Sequence, residues 1–157
     1  YLCTPGPHRE DETLQPINEY TWTKLGGECA VRLVPDSLIV RTTFGPRPCQ
    51  YDRAAVDKIT SKLYVDEFVP HLLELTRSDM IGIVNVGSEP RSLFEYARLT
   101  RPDVSPVRLA DLAELVPPDT SLDLSQWKAF RAKREEVDLE KTPLHCDDAD
   151  RKMEAGR

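Results

Sequence analysis

Glycine is sparse in this 157-residue chain, and its seven glycines nowhere form the glycine-rich turn that lets a helix N-terminus cradle a phosphate. Gly26 and Gly27 sit inside a helical pattern, while Gly82 and Gly87 flank an apolar strand without the spacing or the helix that such a cradle needs. A self-contained dinucleotide-binding turn is therefore excluded. Long hydrophobic runs are missing too: no stretch approaches the roughly 20 residues that span a bilayer, and no charged start leads into an apolar block. Neither a membrane segment nor an export signal is expected, which points to the cytoplasm. The formal net charge of −6 lacks the basic excess of a nucleic-acid footprint. Cys3, Cys29, Cys49 and Cys146 have no metal-ligand spacing, so free thiols and no metal centre are expected. Apolar residues make up 39% and charged residues 31%, which fits a chain that carries a polar tail or lacks part of its core.

What is present starts with a phenol and an amine. Tyr20 and Lys24 stand four residues apart, so on a helix they share one face and can reach a single bound molecule. An ammonium held near a phenol favours the phenolate and eases proton transfer to a carbonyl oxygen. An exposed helical pair with no chemistry has the same spacing, so the surroundings decide.

Residues 1–17, rich in proline and charge, read as a loop. Asn18 then caps a helix with Glu19 in its first turn. Trp22, Leu25, Cys29 and Leu33 supply an apolar face as far as Val34, and Pro35 ends the helix. Two adjacent glycines inside it cost about 1 kcal/mol each relative to alanine, which predicts close approach of another backbone. Ser37–Arg41 reads as a strand buried on both faces of a parallel sheet, and 42–54 as a long loop and substrate wall at its C-terminal end. Asp66–Arg77 reads as a helix capped by Asp66, with Pro70 in its first turn and Phe68, Val69, Leu72, Leu73 and Leu75 buried. Met80–Val86 is a second strand, and Ser92–Leu99 a short helix whose Ser92 and Glu95 complete a capping box. Ser105–Val116 holds a short strand and a turn of helix, and Ser125 caps a helix containing Trp127 and Phe130. Beyond Ala129 the segment is mainly charged, with only Val137, Leu139 and Leu144 to bury, so a frayed helix and then disorder are expected. His145-Cys146-Asp147-Asp148 is expected to be solvated tail rather than a metal site, and His8 and His71 to have loop and helix-surface roles.

The run Asn18, Tyr20, Lys24, Leu25, Gly27 and Glu28 resembles the active-site helix of extended short-chain dehydrogenases/reductases. Pro5-Gly-Pro-His-Arg-Glu-Asp-Glu12 is similar to the loop leading into that helix, and Val40-Arg-Thr-Thr-Phe44 to the strand after it. Pro117-Pro-Asp-Thr-Ser-Leu-Asp-Leu-Ser125 resembles a C-terminal segment of the dTDP-4-dehydrorhamnose reductase branch. The likeness covers about residues 1–128 and leaves 129–157 as tail.

The resemblance implies an α/β fold: the later part of a Rossmann-like parallel sheet with a small C-terminal substrate-binding portion, the N-terminal cofactor half missing. It implies a reductase of 4-keto nucleotide sugars using NADP or NAD, with Tyr20 as proton donor and Lys24 as its electrostatic aid and cofactor-ribose ligand. A Ser or Thr upstream of Tyr1 would hold the carbonyl. Without the glycine-rich half this chain is expected not to turn over substrate; a fragment of a longer product, a truncated gene model and a half-protein with a partner all stay open, the partner being a complementing N-terminal half or a homo-oligomer. An epimerase or dehydratase of the same family, or a noncatalytic subunit similar to the regulatory subunit of methionine adenosyltransferase, stays open. Candidate substrate contacts are Arg41 and Thr42, Arg47, Tyr51, Arg53 and Tyr64. For Arg41 a sheet-edge cap is the equal alternative, and for Arg47 and Arg53 ordinary surface charge. Thr60 and Lys62 stand where the family has Gly and Pro.

Overall fold

The computed structural model describes residues 4–112 and 116–141. Helix α1 spans Glu19–Val31 and starts as its first residues dictate. The Thr21 N–H donates to Asn18 Oδ1 at 2.9 Å and the Asn18 N–H donates back to Thr21 Oγ1 at 3.1 Å, a reciprocal cap. The chain reverses over residues 32–37, where Asp36 takes φ 55°, a left-handed position that aspartate tolerates. It then enters β1, Leu38–Arg41.

Strand β1 pairs in parallel with β6, Gly82–Asn85, placing Leu38 beside Gly82 and Arg41 beside Asn85. Helix α2, Val65–Thr76, lies between them in sequence, which makes a β–α–β crossover. Short strands surround this frame. β2 (Phe44–Gly45) runs parallel to β5 (Leu63–Tyr64), and β3 (Arg53–Ala55) runs parallel to β8 (Ser105–Val107). β4 (Ile59–Thr60) sits between β7 (Arg91–Ser92) and β9 (Asp119–Thr120). The segment read as loop, 42–54, thus carries one short strand and the start of another. Helix α3, Leu93–Arg98, has the expected box: Glu95 N–H donates to Ser92 Oγ at 3.1 Å and Ser92 N–H to Glu95 Oε2 at 2.8 Å. A 3₁₀ turn at Leu109–Asp111 follows β8.

The core gathers Cys49, Ala54, Tyr64, Tyr96, Ala97 and Val104. Tyr64 and Tyr96 stack with ring centres 4.4 Å apart, and Tyr64 Oη donates to the Tyr96 carbonyl at 2.8 Å. Burial pushes both phenols above their ordinary pKa.

Three expectations about faces fail for one reason. On α1 the buried residues are Thr21 and Glu28, whereas Trp22 is 62% and Leu33 85% exposed and Cys29 is also exposed. No atom lies within 4 Å of where a Cβ on Gly26 or Gly27 would stand, so the close approach that would favour those glycines is not made among the described residues. On α2, Phe68 and Leu75 are buried but Val69, Leu72 and Leu73 are exposed. All four residues of β1 are half-buried, since among the described residues only β6 pairs with it. Apolar periodicity marks which side of an element seeks cover; cover on these sides is not supplied by the described residues.

Two helix starts also differ. Tyr64, not Asp66, caps α2, with its N–H donating to Glu67 Oε2 at 2.9 Å, so Pro70 falls beyond the first turn. Helix α4, Ser125–Lys141, includes Ser125 as its first residue, and Asp123 Oδ1 accepts the Ser125 N–H at 2.8 Å. The chain forms two units that part after Trp127. In the second, Arg131 and Glu135 pair at 3.6 Å. Cys3, Leu144 and His145–Asp148 lie outside the described residues, as does any test of disorder in the tail.

Candidate functional site

Tyr20 and Lys24 occupy the first two turns of α1, the end of the helix remote from the reversal at 32–37. The C-terminal end of β1 is also remote from that reversal, and ligands of open α/β sheets bind at the C-terminal ends of strands. Tyr20 is 66% exposed and Lys24 is exposed as well. Lys24 Nζ stands 5.0 Å from the centre of the Tyr20 ring, within cation–π range. No hydrogen bond to the Tyr20 hydroxyl forms among the described residues, which leaves it open to an incoming ligand.

What fixes this helix is a buried carboxylate one turn beyond Lys24. Glu28 accepts from Arg41 Nη2 at 2.6 Å and Nε at 3.1 Å, and from Arg32 Nη2 at 2.8 Å. Arg41 also donates to the Glu10 carbonyl at 2.9 Å, so one guanidinium ties α1, β1 and the N-terminal loop together. Burial alone would push the Glu28 carboxyl up; the hydrogen bonds and charges of Arg41 and Arg32 outweigh it and hold the group below the ordinary carboxylate range. Three of the five N–H donors of Arg41 are engaged in this way by the protein.

The other substrate-wall candidates divide. Thr42 Oγ1 is buried at the end of β1 with no hydrogen-bond partner among the described residues. Arg47 lies over the Tyr64 ring at 4.1 Å and pairs with Asp66 at 2.8 Å and Glu67 at 2.6 Å, an exposed network. Tyr64 is 0% exposed and belongs to the core, so it presents nothing to a ligand; the run Leu63-Tyr64 before α2 is strand β5, whose side chains face inward. Tyr51 is 37% exposed and its hydroxyl meets Lys62 Nζ at 2.5 Å. Arg53 is exposed on β3 and makes no ion pair among the described residues.

Residues that local sequence did not single out hold the frame. His8, given a loop role from sequence, lies in the N-terminal loop and is buried there: its Nδ1 meets Glu12 Oε2 at 2.9 Å and its Nε2 the Asp119 carbonyl at 3.3 Å. His71 lies edge-on to Trp127 with ring centres 5.3 Å apart. Asp119 accepts from the Gly6 N–H and from the Ser121 N–H, both at 2.8 Å, fastening the N-terminal loop to β9. The contacts of Gly6 and His8 with Asp119 join positions more than 100 residues apart, beyond the reach of any local pattern. An open groove of about 440 Å³ flanks α1, lined by Glu10, Glu12, Leu25, Glu28, Arg32 and Ile83 among others. Neither Tyr20 nor Lys24 borders it. No helix among the described residues is long and apolar enough to cross a membrane.

The arrangement is a crossover α/β unit with an exposed phenol and amine on the first two turns of α1. Solved structures share the fold. A dTDP-4-dehydrorhamnose reductase from Bacillus anthracis, in complex with NADP, matches with TM-score 0.68 at 20% identity, over 89% of this chain and 61% of that one. The orthologous reductase from Clostridium acetobutylicum matches with TM-score 0.68 at 19% identity, over 88% and 61%. A UDP-glucuronic acid 4-epimerase from Bacillus cereus, in complex with NAD, matches with TM-score 0.57 at 20% identity, over 80% and 50%. No family model and no curated protein sequence matches the chain. The fold is thus the Rossmann-like α/β fold of these nucleotide-sugar enzymes. The chain spans about 61% of the length of the reductases it matches.

Proposed function

We propose that this chain contributes the catalytic helix and substrate wall of a nicotinamide-dependent reductase acting on a keto sugar carried by a nucleotide, of the dTDP-4-dehydrorhamnose reductase type. The observation that carries the proposal is the Tyr20–Lys24 pair, exposed side by side on a helix of a fold shared with such reductases. In the reaction, the Tyr20 hydroxyl gives its proton to the carbonyl oxygen as the carbonyl carbon is reduced, leaving an alcohol and a phenolate. Lys24 favours that phenolate electrostatically and is the group that would hold ribose hydroxyls of the dinucleotide. NADPH or NADH, the reduced form of the cofactor, would supply the hydride when bound and leave as NADP or NAD.

The described residues fit only part of such a cofactor. Gly26 and Gly27 lie inside α1 and Gly87 abuts the Ser61 backbone, so none of them builds a phosphate cradle. The pyrophosphate belongs to a second α/β unit, for which the unpaired edge of β1 and the uncovered face of α1 offer a seat. The test combines this chain with a polypeptide bearing a glycine-rich strand–turn–helix half and follows NADPH or NADH oxidation with a dTDP-4-keto sugar. Turnover by the pair and none by this chain alone is expected; micromolar dinucleotide binding by this chain alone would contradict the division. A nucleotide-sugar epimerase or dehydratase using the same two residues is a second reading, favoured by the fold shared with the Bacillus cereus epimerase. Product analysis separates the two.

A further inference from the structure

Residues Ser61–Leu63 cross the C-terminal ends of both long parallel strands and are pinned there from each side. From the end of β1, the Thr43 carbonyl accepts the Leu63 N–H at 3.0 Å. From the end of β6, the Ser88 N–H donates to the Ser61 carbonyl at 2.9 Å and Ser88 Oγ to the Lys62 carbonyl at 2.9 Å. Gly87 permits this approach, because a Cβ there would stand 2.6 Å from the Ser61 carbonyl oxygen. Lys62 is therefore held where the two strands finish, the side on which open α/β sheets take their ligands.

Its side chain sits in a shaped seat. Nζ meets Tyr51 Oη at 2.5 Å and lies 4.8 Å from the centre of the Tyr51 ring and 5.5 Å from that of Tyr96. Gly45 forms the floor: a Cβ there would stand 2.9 Å from Lys62 Cε and 3.3 Å from Nζ. Yet this ammonium has no carboxylate partner among the described residues, while Arg41, Arg47 and Arg101 each have one. A second ammonium, Lys58, has its hydrogen bonds directed to the Pro117 carbonyl at 2.8 Å and Thr120 Oγ1 at 3.5 Å. Tyr51 uses one of the three N–H donors of Lys62 and accepts through oxygen, which leaves its own O–H to donate outward.

We propose that Lys62 and Tyr51 form an anion site that receives a phosphoryl group of the ligand, the ammonium giving charge and the phenol a directed hydrogen bond. That the phosphoryl belongs to a nucleotide sugar rests on the reductase reading; that the seat takes a phosphoryl group does not. Lys62 stands where the resemblance leads one to expect proline.

The experiment is titration of inorganic pyrophosphate into the full chain, read calorimetrically, with dTDP as a second probe. Lys62→Met is expected to weaken pyrophosphate binding at least about 10-fold, the loss of a charge-assisted hydrogen bond. Tyr51→Phe should weaken it less, Lys62→Arg should retain it, and circular dichroism should show all three folded like the parent. Absence of pyrophosphate binding to the parent, or equal binding by Lys62→Met, overturns the site. dTDP binding that survives Lys62→Met unchanged would likewise overturn it while leaving the reductase reading intact. Lys62-dependent pyrophosphate binding together with no turnover in the completed enzyme would uphold the site and remove the reductase reading.

Discussion

Replacing Glu28 by glutamine tests how helix α1 is held. The Glu28 side chain is 6% and the Arg41 side chain 12% exposed, so their 2.6 Å bridge lies largely out of water, whereas Arg32 on the other side of Glu28 is 53% exposed. Truncating one partner of a buried pair costs about 3–5 kcal/mol, chiefly because the other charge is stranded. Glutamine still accepts a hydrogen bond, Arg41 keeps the Glu10 carbonyl, and the Arg32 contact adds little at its exposure, so a loss of about 2 kcal/mol is expected. For a chain of this size that lowers the melting temperature by about 4–8 °C. The pH dependence gives a second signature. The Glu28 pKa is lowered on folding, so its contribution is fully present above the unfolded value of about 4.3 and is lost as pH falls through the folded value. Parent and Glu28→Gln should therefore differ near neutrality and converge in acid. Thermal melts followed by circular dichroism across that range, with Arg41→Met and the double variant closing a cycle, measure the coupling. A Glu28→Gln melt within about 1 °C of the parent at neutral pH, or a gap that persists undiminished at about pH 2, would refute the reasoning.

Other substitutions probe the frame around it. Gly87→Ala places a Cβ against the Ser61 carbonyl oxygen and should destabilise by about 1–3 kcal/mol in a denaturant titration. Ser92→Ala removes one half of the α3 capping box and should lower stability by about 1 kcal/mol in the same assay. Tyr64→Phe deletes the hydroxyl that donates to the Tyr96 carbonyl, leaving a buried acceptor short of a partner, and should cost about 1–2 kcal/mol.

Much of the frame is legible along the chain because its determinants are local. Asn18 and Ser92 announce their helices through side chains that reach three residues on, and the β-branched run at Ile39-Val40 announces a strand. The Tyr20–Lys24 proximity is legible for the same reason, since helical spacing alone brings the two together. What cannot be read is which element covers a face. Leu33 and Trp22 have the spacing of buried residues and remain exposed, while Glu28, whose charge alone would place it at the surface, becomes buried because Arg41 arrives from the next strand. Tyr64 likewise reads as a residue ready for ligand, but stacking on Tyr96, 32 positions later, takes it into the core. Lys62 escapes local reading because its seat is assembled from Gly45, Tyr51 and Tyr96.

The most direct test of the chemistry is Tyr20→Phe in the enzyme completed with a cofactor-binding half, assayed for reduction of a 4-keto nucleotide sugar alongside binding of that ligand. Phenylalanine keeps the ring over which Lys24 sits and removes only the proton donor. Turnover should fall about 10²–10⁴-fold with ligand affinity little changed, as expected for loss of a general acid. Undiminished turnover in the Phe variant would contradict the assignment of Tyr20.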